Sequence, residues 1–393
     1  MFLDHASTTK VHDTFLKAIS SFASMYANPS SNHTEGLEAR DLMKRYKKRI
    51  IDLVNEFYNT EFTHFILTSG ATESINTVFN AFAQEDTYCF TDDIEHKATL
   101  ESAKKYFYCG GGEYNIFSIK DPKISLPRNY DNVLLSLMTV NNETGMFVYN
   151  DNLIDLVYDS IQPKNTLLEV PSPELFIHTD NTQGFMKNKI DLHRCDMMSF
   201  SGHKIGTFKG IGGLFLNDRS FEVLKKHPLI VGGGHQEGIR SGTENPLFIY
   251  ALYQLLLEIN YSFDNLSYNA KLCNQIARIK LKEIATELNL ELIFNSDESC
   301  SDYILDFAFK GIEGESVLTM LTKDSLATTS ACNSEILESS YVLKALGVPS
   351  EIANCSLRMS FNNNSIEEVA YFIEHNFKNA IKKLAQMRVR KTK

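Results

Sequence analysis

The chain has 393 residues, 43% hydrophobic and 22% charged, with a formal net charge of -10. Its length suits a substantial core arranged as two domains, and its acidic balance weighs against direct nucleic-acid binding or adhesion to an anionic membrane. No amino-terminal apolar segment suggests a signal peptide and no run approaches the roughly 18 apolar residues of a membrane span, so a cytoplasmic location is expected.

Seven scattered cysteines, an odd number with no Cys-x-x-Cys pair, fit neither a disulfide framework nor a zinc knuckle. In chain order, residues 1–12 read as short and extended, and helical spacing follows through Phe15, Leu16, Ile19 and Phe22. A second helix is expected over Glu35–Glu56. Phe65-Ile66-Leu67 is a brief strand that turns through Thr68-Ser69-Gly70-Ala71-Thr72 into a helix carrying Ile75, Val78, Phe79 and Phe82. Such a turn aims free backbone amides and a positive dipole end at one point, which suits a phosphate. The pattern then repeats, with Tyr88–Phe90 before Glu95-His96-Lys97, Val133–Val140 before Asn141–Gly145, and Leu175–Thr179 before Asp180–Gln183. The stretch Asp196–Phe200 precedes Ser201-Gly202-His203-Lys204 and a glycine-rich run to Gly213. Strands alternating with helical segments, each strand ending in polar residues, describe an α/β fold with a mostly parallel central sheet and helices on both faces. The polar strand ends are expected to meet in one cavity.

A long helical region is expected from Pro246 to Leu288, with a domain boundary near residue 255. Strands at Leu292–Phe294, Tyr303–Phe309 and Ser356–Phe361, a helix at Glu315–Leu321, and a last helix opened by the capping box Ser365–Glu368 make a smaller α+β domain. The expected division is a large domain over 13–255 and a small one over 1–12 and 256–393.

Lysine is the side chain whose amine loses its proton most readily in a partly buried, cation-flanked pocket, and only the neutral amine forms a Schiff base. Lys204, at a strand end, is the candidate nucleophile. The order of residues there does not match a Walker A loop. If the partner is a phosphate-bearing aldehyde on a pyridine ring, the ring nitrogen must stay protonated, and Asp180 closes the preceding strand. An ion pair at about 4 Å with an effective dielectric near 20 is worth roughly 4 kcal/mol, about three pKa units. Ala71, Thr72, Ser201 and His203 supply phosphate donors, His96 a stacking ring that also works as acid and base, and Asn142 or Gln183 a donor to the ring oxygen.

These segments, together with Gly232–Thr243 and the stretch from Ser330 to Gly347, resemble the cysteine desulfurases, a family of fold-type-I, class-V pyridoxal-phosphate (PLP) enzymes. Eight collinear motifs between Leu3 and Phe361 carry the resemblance. It implies a homodimer with its sites at the subunit interface, converting L-cysteine to L-alanine while the sulfur passes to an enzyme cysteine as a persulfide. It further implies Lys204 as the Schiff-base lysine, His96 over the ring, Asp180 at the ring nitrogen, and Asn142 and Gln183 at the ring oxygen. Ala71, Thr72, Ser201 and His203 match the phosphate contacts within one subunit, and Thr243 the one reaching across the dimer. Arg358 resembles the clamp on the substrate carboxylate and Cys332 the sulfur acceptor. Small polar residues around Cys332 fit a thiol that must approach and depart. A sulfur-acceptor protein, an iron–sulfur scaffold or a tRNA-thiolation protein, is the implied partner.

Three departures stand out. After Lys204 the family usually carries an aromatic or small residue and then Gly-Pro before Lys-Gly, where Gly206-Thr207-Phe208 stands here; residues 162–174 form a longer link than usual, and the tail after Met387 lacks a recognisable scaffold dock. The alternatives are a selenocysteine lyase or another class-V lyase or aminotransferase and, from a different class, a non-catalytic sulfur-carrier scaffold.

Overall fold

Strands of five to seven residues alternate with helices through the first two thirds of the computed structural model, which describes residues 1–162, 171–328 and 339–391. The chain divides into two units, one formed by Lys10–Thr139 and Val148–Tyr261, the other by Met1–Thr9, Val140–Phe147 and Ser262–Lys393.

The first unit holds β1 (His64–Thr68), β2 (Thr87–Asp92), β3 (Glu113–Phe117), β4 (Asn132–Met138), β5 (Glu174–Asp180), β6 (Met197–Ser201) and β7 (Gly212–Leu216). They form one sheet in the order β1-β7-β6-β5-β4-β2-β3. Pairs from β3 through β6 are parallel, and β7 runs antiparallel to both its neighbours. Parallel neighbours need crossover connections that leave helices on the sheet faces; α3 (Ala71–Phe82) lies between β1 and β2 and α4 (Lys97–Ser102) between β2 and β3, while α1 (Asp13–Ser21) and α2 (Thr34–Tyr58) precede the first strand.

Consecutive strand residues point to opposite faces, and the sequence uses both. On one face Ile75, Val78, Phe79 and Phe82 of α3 pack with Ile66, Leu134, Phe176, Met197 and Leu214. On the other, Phe65 stacks on Phe215 with centroids 4.7 Å apart and Phe185 on Phe200 at 4.0 Å. Tyr58 of α2 joins that second layer, its hydroxyl donating to Gly184 O at 3.3 Å and accepting from Met186 N at 2.7 Å. Each fully buried phenylalanine contributes about 1.5–3 kcal/mol over an exposed one, so the two layers hold the sheet from both sides.

Strand β7 lies where the sequence reads as a glycine loop. Glycine weakens a strand unless something approaches closely, and here the neighbours do. A Cβ at Gly213 would lie 2.3 Å from the Phe65 ring and 2.6 Å from that of Phe200, and one at Gly212 would lie 2.4 Å from Gly70 Cα. Strand β3, a partly exposed edge beginning Glu-Tyr-Asn, also carries too little apolar signal to be read in advance.

The second unit forms an antiparallel sheet in the order β10-β11-β9-β8 from β8 (Leu292–Phe294), β9 (Ile304–Phe309), β10 (Ala327–Thr328) and β11 (Ser356–Ser360). Phe377 packs on Phe307 and Phe309 with centroids 5.8 and 6.1 Å away. Ser365 caps the last helical segment by accepting from Glu368 N at 3.3 Å. The amino terminus is built into this unit: Leu3 donates to Ser325 O and accepts from Ser360 N, both at 2.8 Å. The expected α/β architecture with a smaller α+β part is therefore the one that forms.

Candidate active site

Strands β1, β2, β4, β5 and β6 point the same way, so their carboxyl ends share one edge of the sheet, the edge at which open α/β sheets bind ligands. Asp180 is the last residue of β5, Ser201 the last of β6, and Lys204 ends the short helical turn Gly202–Lys204 that follows. His96 stands just before α4, beyond the end of β2.

Asp180 is 6% exposed. Its Oδ1 accepts from Thr182 N at 3.0 Å and from the Thr182 hydroxyl, so the residue caps its own turn. Its backbone oxygen accepts from Thr139 N at 3.0 Å and ties the end of β5 to the chain leaving β4. His96 caps α4 by accepting from Ala98 N at Nδ1, 3.1 Å away. The neutral ring therefore carries its hydrogen on Nε2. The ring is open to solvent, yet the protein around it strips enough hydration to lower its pKa, an effect that Asp180 opposes and that Lys204 and Lys97 reinforce. His96 thus feels both the carboxylate at the end of β5 and the amine after β6.

The turn that presents Lys204 is tightly closed. Thr207 N and Ile205 N both donate to Gly202 O, at 3.1 and 2.9 Å, and a Cβ at Gly202 would meet Thr207 Oγ1 at 2.4 Å. Gly206 takes φ +103°, a left-handed value that favours glycine, and accepts from His12 N at 2.8 Å. The unusual Gly206-Thr207-Phe208 therefore forms a compact turn, with Phe208 edge-on to Phe15 at 5.3 Å.

Beside it lies a set of donors suited to a phosphate. Helix α3 starts at Ala71 after Gly70, whose position offers no side-chain cap, so its first amides look to other partners. Ala71 N donates to Ser201 Oγ at 2.8 Å, joining the helix start to the end of β6. Thr72 is exposed on the first turn. Burial, with Lys204, Lys209 and Lys187 nearby, pushes His203 down to about 4, so it is neutral at pH 7 and its N–H is a donor. Two hydroxyls, backbone amides at a helix start and a neutral imidazole match the needs of an oxyanion of double charge. Gln183, 7% exposed, follows Asp180 on the same loop, and Thr243 is exposed in the segment before the helix Pro246–Leu288.

Three further candidates belong to the second unit. Arg358 on β11 is 7% exposed and donates to Asn142 O at 2.6 Å, Asp4 Oδ1 at 2.9 Å and Ser7 Oγ at 2.8 Å. Asn142 keeps a buried Oδ1 with no hydrogen-bond partner among the described residues. Cys332 lies outside the described residues, as does the middle of the 162–174 link.

Several supporting residues escape a sequence reading. Glu73 on α3 accepts from Ser69 N and pairs with Arg240 at 2.8 Å, which holds the loop between β1 and α3. The Gln236 side-chain amide pairs with Leu67 N and O at 2.7 and 2.8 Å, closing the open edge of β1 as a strand would. Asp4 and Ser7 stand in a polar amino-terminal run, Leu3–Thr9, whose only signal is polarity within an extended stretch.

The aminotransferase class-V family profile matches residues 1–372. A cysteine desulfurase IscS of Buchnera aphidicola (subspecies Schizaphis graminum) is 30% identical, over 99% of this chain and 93% of its own. A mitochondrial cysteine desulfurase of Candida albicans is also 30% identical, over 95% of this chain and 75% of its own. A solved structure described as a NifS-like protein superposes with a TM-score of 0.75 at 26% identity, covering 99% of both chains.

Proposed function

Because the chain belongs to the class-V aminotransferase family and is a cysteine desulfurase, we propose that it binds pyridoxal phosphate through Lys204 and moves sulfur from L-cysteine to Cys332. The single observation that supports this most is that Asp180 at the end of β5, Lys204 in the turn after β6 and His96 beyond the end of β2 stand at the same carboxyl edge of the parallel sheet. Members of this family are generally PLP-dependent, and the donor set around α3 fits the phosphate. When bound, the cofactor supplies a cationic ring that draws electrons away from the substrate α-carbon. Ala71, Thr72, Ser201 and His203 would hold its phosphate, with Thr243 from a second copy of the chain, and Asn142 and Gln183 its ring oxygen.

The chain's own residues then divide the work. Asp180 would hold the proton at the ring nitrogen, an ion pair of the kind worth roughly 4 kcal/mol. His96 would lie over the ring and, protonated only at Nε2 when neutral, has that nitrogen for moving a proton. The Lys204 amine takes the substrate α-proton and returns it. Arg358 orients the substrate carboxylate through its guanidinium fork. The Cys332 sulfur attacks the substrate sulfur, so an S–S bond forms as the Cβ–S bond breaks and a proton is delivered to Cβ. Cysteine plus thiol gives alanine plus persulfide, with no outside oxidant or reductant.

The persulfide then serves a sulfur-acceptor protein in iron–sulfur cluster assembly or tRNA thiolation, from a homodimer in the cytoplasm. No helix among the described residues is long and apolar enough to cross a membrane. The test is Cys332→Ala. The variant keeps the cofactor absorbance, fixable by borohydride onto Lys204, and loses both persulfide and alanine formation from cysteine. Full turnover in that variant removes Cys332 from the mechanism.

A further inference from the structure

Arg358 and Asp4 lie 354 positions apart and form an ion pair at 2.9 Å, the arginine side chain 8% and the aspartate 21% exposed. A guanidinium this buried has given up water, so its partners decide where it points. Three acids compete for it. Asp306 faces Arg358 directly across the β9–β11 pairing, but burial raises its pKa strongly, Glu143 adds to the rise, and Asn295 donates to its Oδ1 at 2.6 Å. Glu143 is itself bonded to the Ser340 hydroxyl. Asp4 therefore supplies the countercharge. Ser7 completes a triangle, donating to Asp4 Oδ1 at 2.7 Å and accepting from the arginine at 2.8 Å. The Asn142 carbonyl takes the other terminal nitrogen at 2.6 Å. With both terminal nitrogens engaged, Nε stays buried and has no partner among the described residues. Asp4 is held in place because Leu3 beside it donates to Ser325 O and accepts from Ser360 N.

We propose that Asp4, supported by Ser7, is the positioning residue of Arg358, fixing the guanidinium in the orientation from which it receives an incoming carboxylate. The proposal rests on the reading that Arg358 receives the substrate carboxylate. The opposite possibility is that Asp4 competes with substrate for the same cation. Without Asp4 the guanidinium keeps the Asn142 carbonyl and the Ser7 hydroxyl but loses the carboxylate that fixes its Nη2 end.

The experiment compares Asp4→Asn, Asp4→Ala, Asp4→Glu and Ser7→Ala with Arg358→Lys, reading kcat and KM for L-cysteine and the cofactor absorbance of each holoenzyme. In the cofactor-free chains, the rate at which phenylglyoxal modifies Arg358 is followed by peptide mass. Because the carboxylate is held equally in ground and transition states, Asp4→Asn raises KM about tenfold or more while kcat changes less than about threefold. Cofactor loading is unchanged, Arg358 reacts faster with phenylglyoxal, Asp4→Glu recovers part of the KM, and Ser7→Ala shows a smaller rise. Asp4→Asn is nearly isosteric and gives the measurement even where Asp4→Ala does not fold. A KM that stays level or falls in the Asp4 variants, while Arg358→Lys raises it, overturns the proposal alone. A level KM in Arg358→Lys overturns the carboxylate reading and the proposal with it.

Discussion

Asp180 caps its own turn with the same carboxyl group that is proposed to face the ring nitrogen. Oδ1 caps the loop through Thr182 N at 3.0 Å, a bond that an amide oxygen would keep. Asp180→Asn therefore preserves the cap and removes only the charge. Its thermal midpoint stays close to that of the wild type, while kcat for alanine release falls by about a hundredfold to a thousandfold, the rate equivalent of roughly 3–4 kcal/mol. Unchanged turnover in a folded variant would show that no cationic ring nitrogen depends on this carboxylate. His96 and Lys204 can be ranked in the same way, since each is placed by local geometry: one caps α4 and the other ends a turn pinned by Gly202.

Two elements meet at the proposed phosphate donors. The start of α3 lacks a side-chain cap, and the Ala71 amide instead reaches Ser201 Oγ at the end of β6. Gly212 of β7 pairs with both Thr68 and Ser201, and its missing side chain lets Gly70 come near. Ser201→Ala leaves that amide without its partner and removes a hydroxyl from the cradle. The loss of one hydrogen bond, about 1 kcal/mol, weakens PLP binding roughly fivefold to tenfold. An absorbance titration of the cofactor-free chain measures it, and equal affinity would place the phosphate elsewhere. Behind the same strand ends, His178 of β5 bridges Ser136 of β4 and Ser199 of β6, both at 2.8 Å, and burial pushes its pKa down to about 3. A neutral ring bonded on both sides fixes the register of three strands two residues before Asp180.

Across the molecule, the buried acids set how stability follows pH. Burial lifts Asp92 to about 7, and Glu95 is raised as well, by burial and then by Asp92 and Asp180. An acid kept protonated in the fold binds more protons than the unfolded chain between its two pKa values. Its contribution is thus complete below about 4 and is lost as pH rises through about 7. His178 acts in the opposite sense, its contribution complete above about 6.5 and lost as pH falls toward 3. Asp92→Asn keeps the bond that Oδ1 accepts from Ile94 N at 2.9 Å and abolishes the acid's titration. Between pH 5 and 8 the wild type loses on the order of 2–4 kcal/mol more than this variant, measured by urea unfolding at each pH. Parallel curves would mean that Asp92 is ionised in the fold.

The sequence by itself determined the alternation of strands and helices, the polar residues at each strand end and the collinear motifs of the family, because periodicity and turn chemistry are local. The placement of Lys204, Asp180 and His96 beyond strand ends was legible for that reason, each sitting where an apolar run stops. Only the tertiary structure decided that Gly212 and Gly213 lie in a strand, since their need is for close neighbours rather than for strand propensity. It alone joined Asp4 to Arg358, Gln236 to β1 and Asp92 to Glu95, because these pairings depend on burial and on charges brought together from distant parts of the chain.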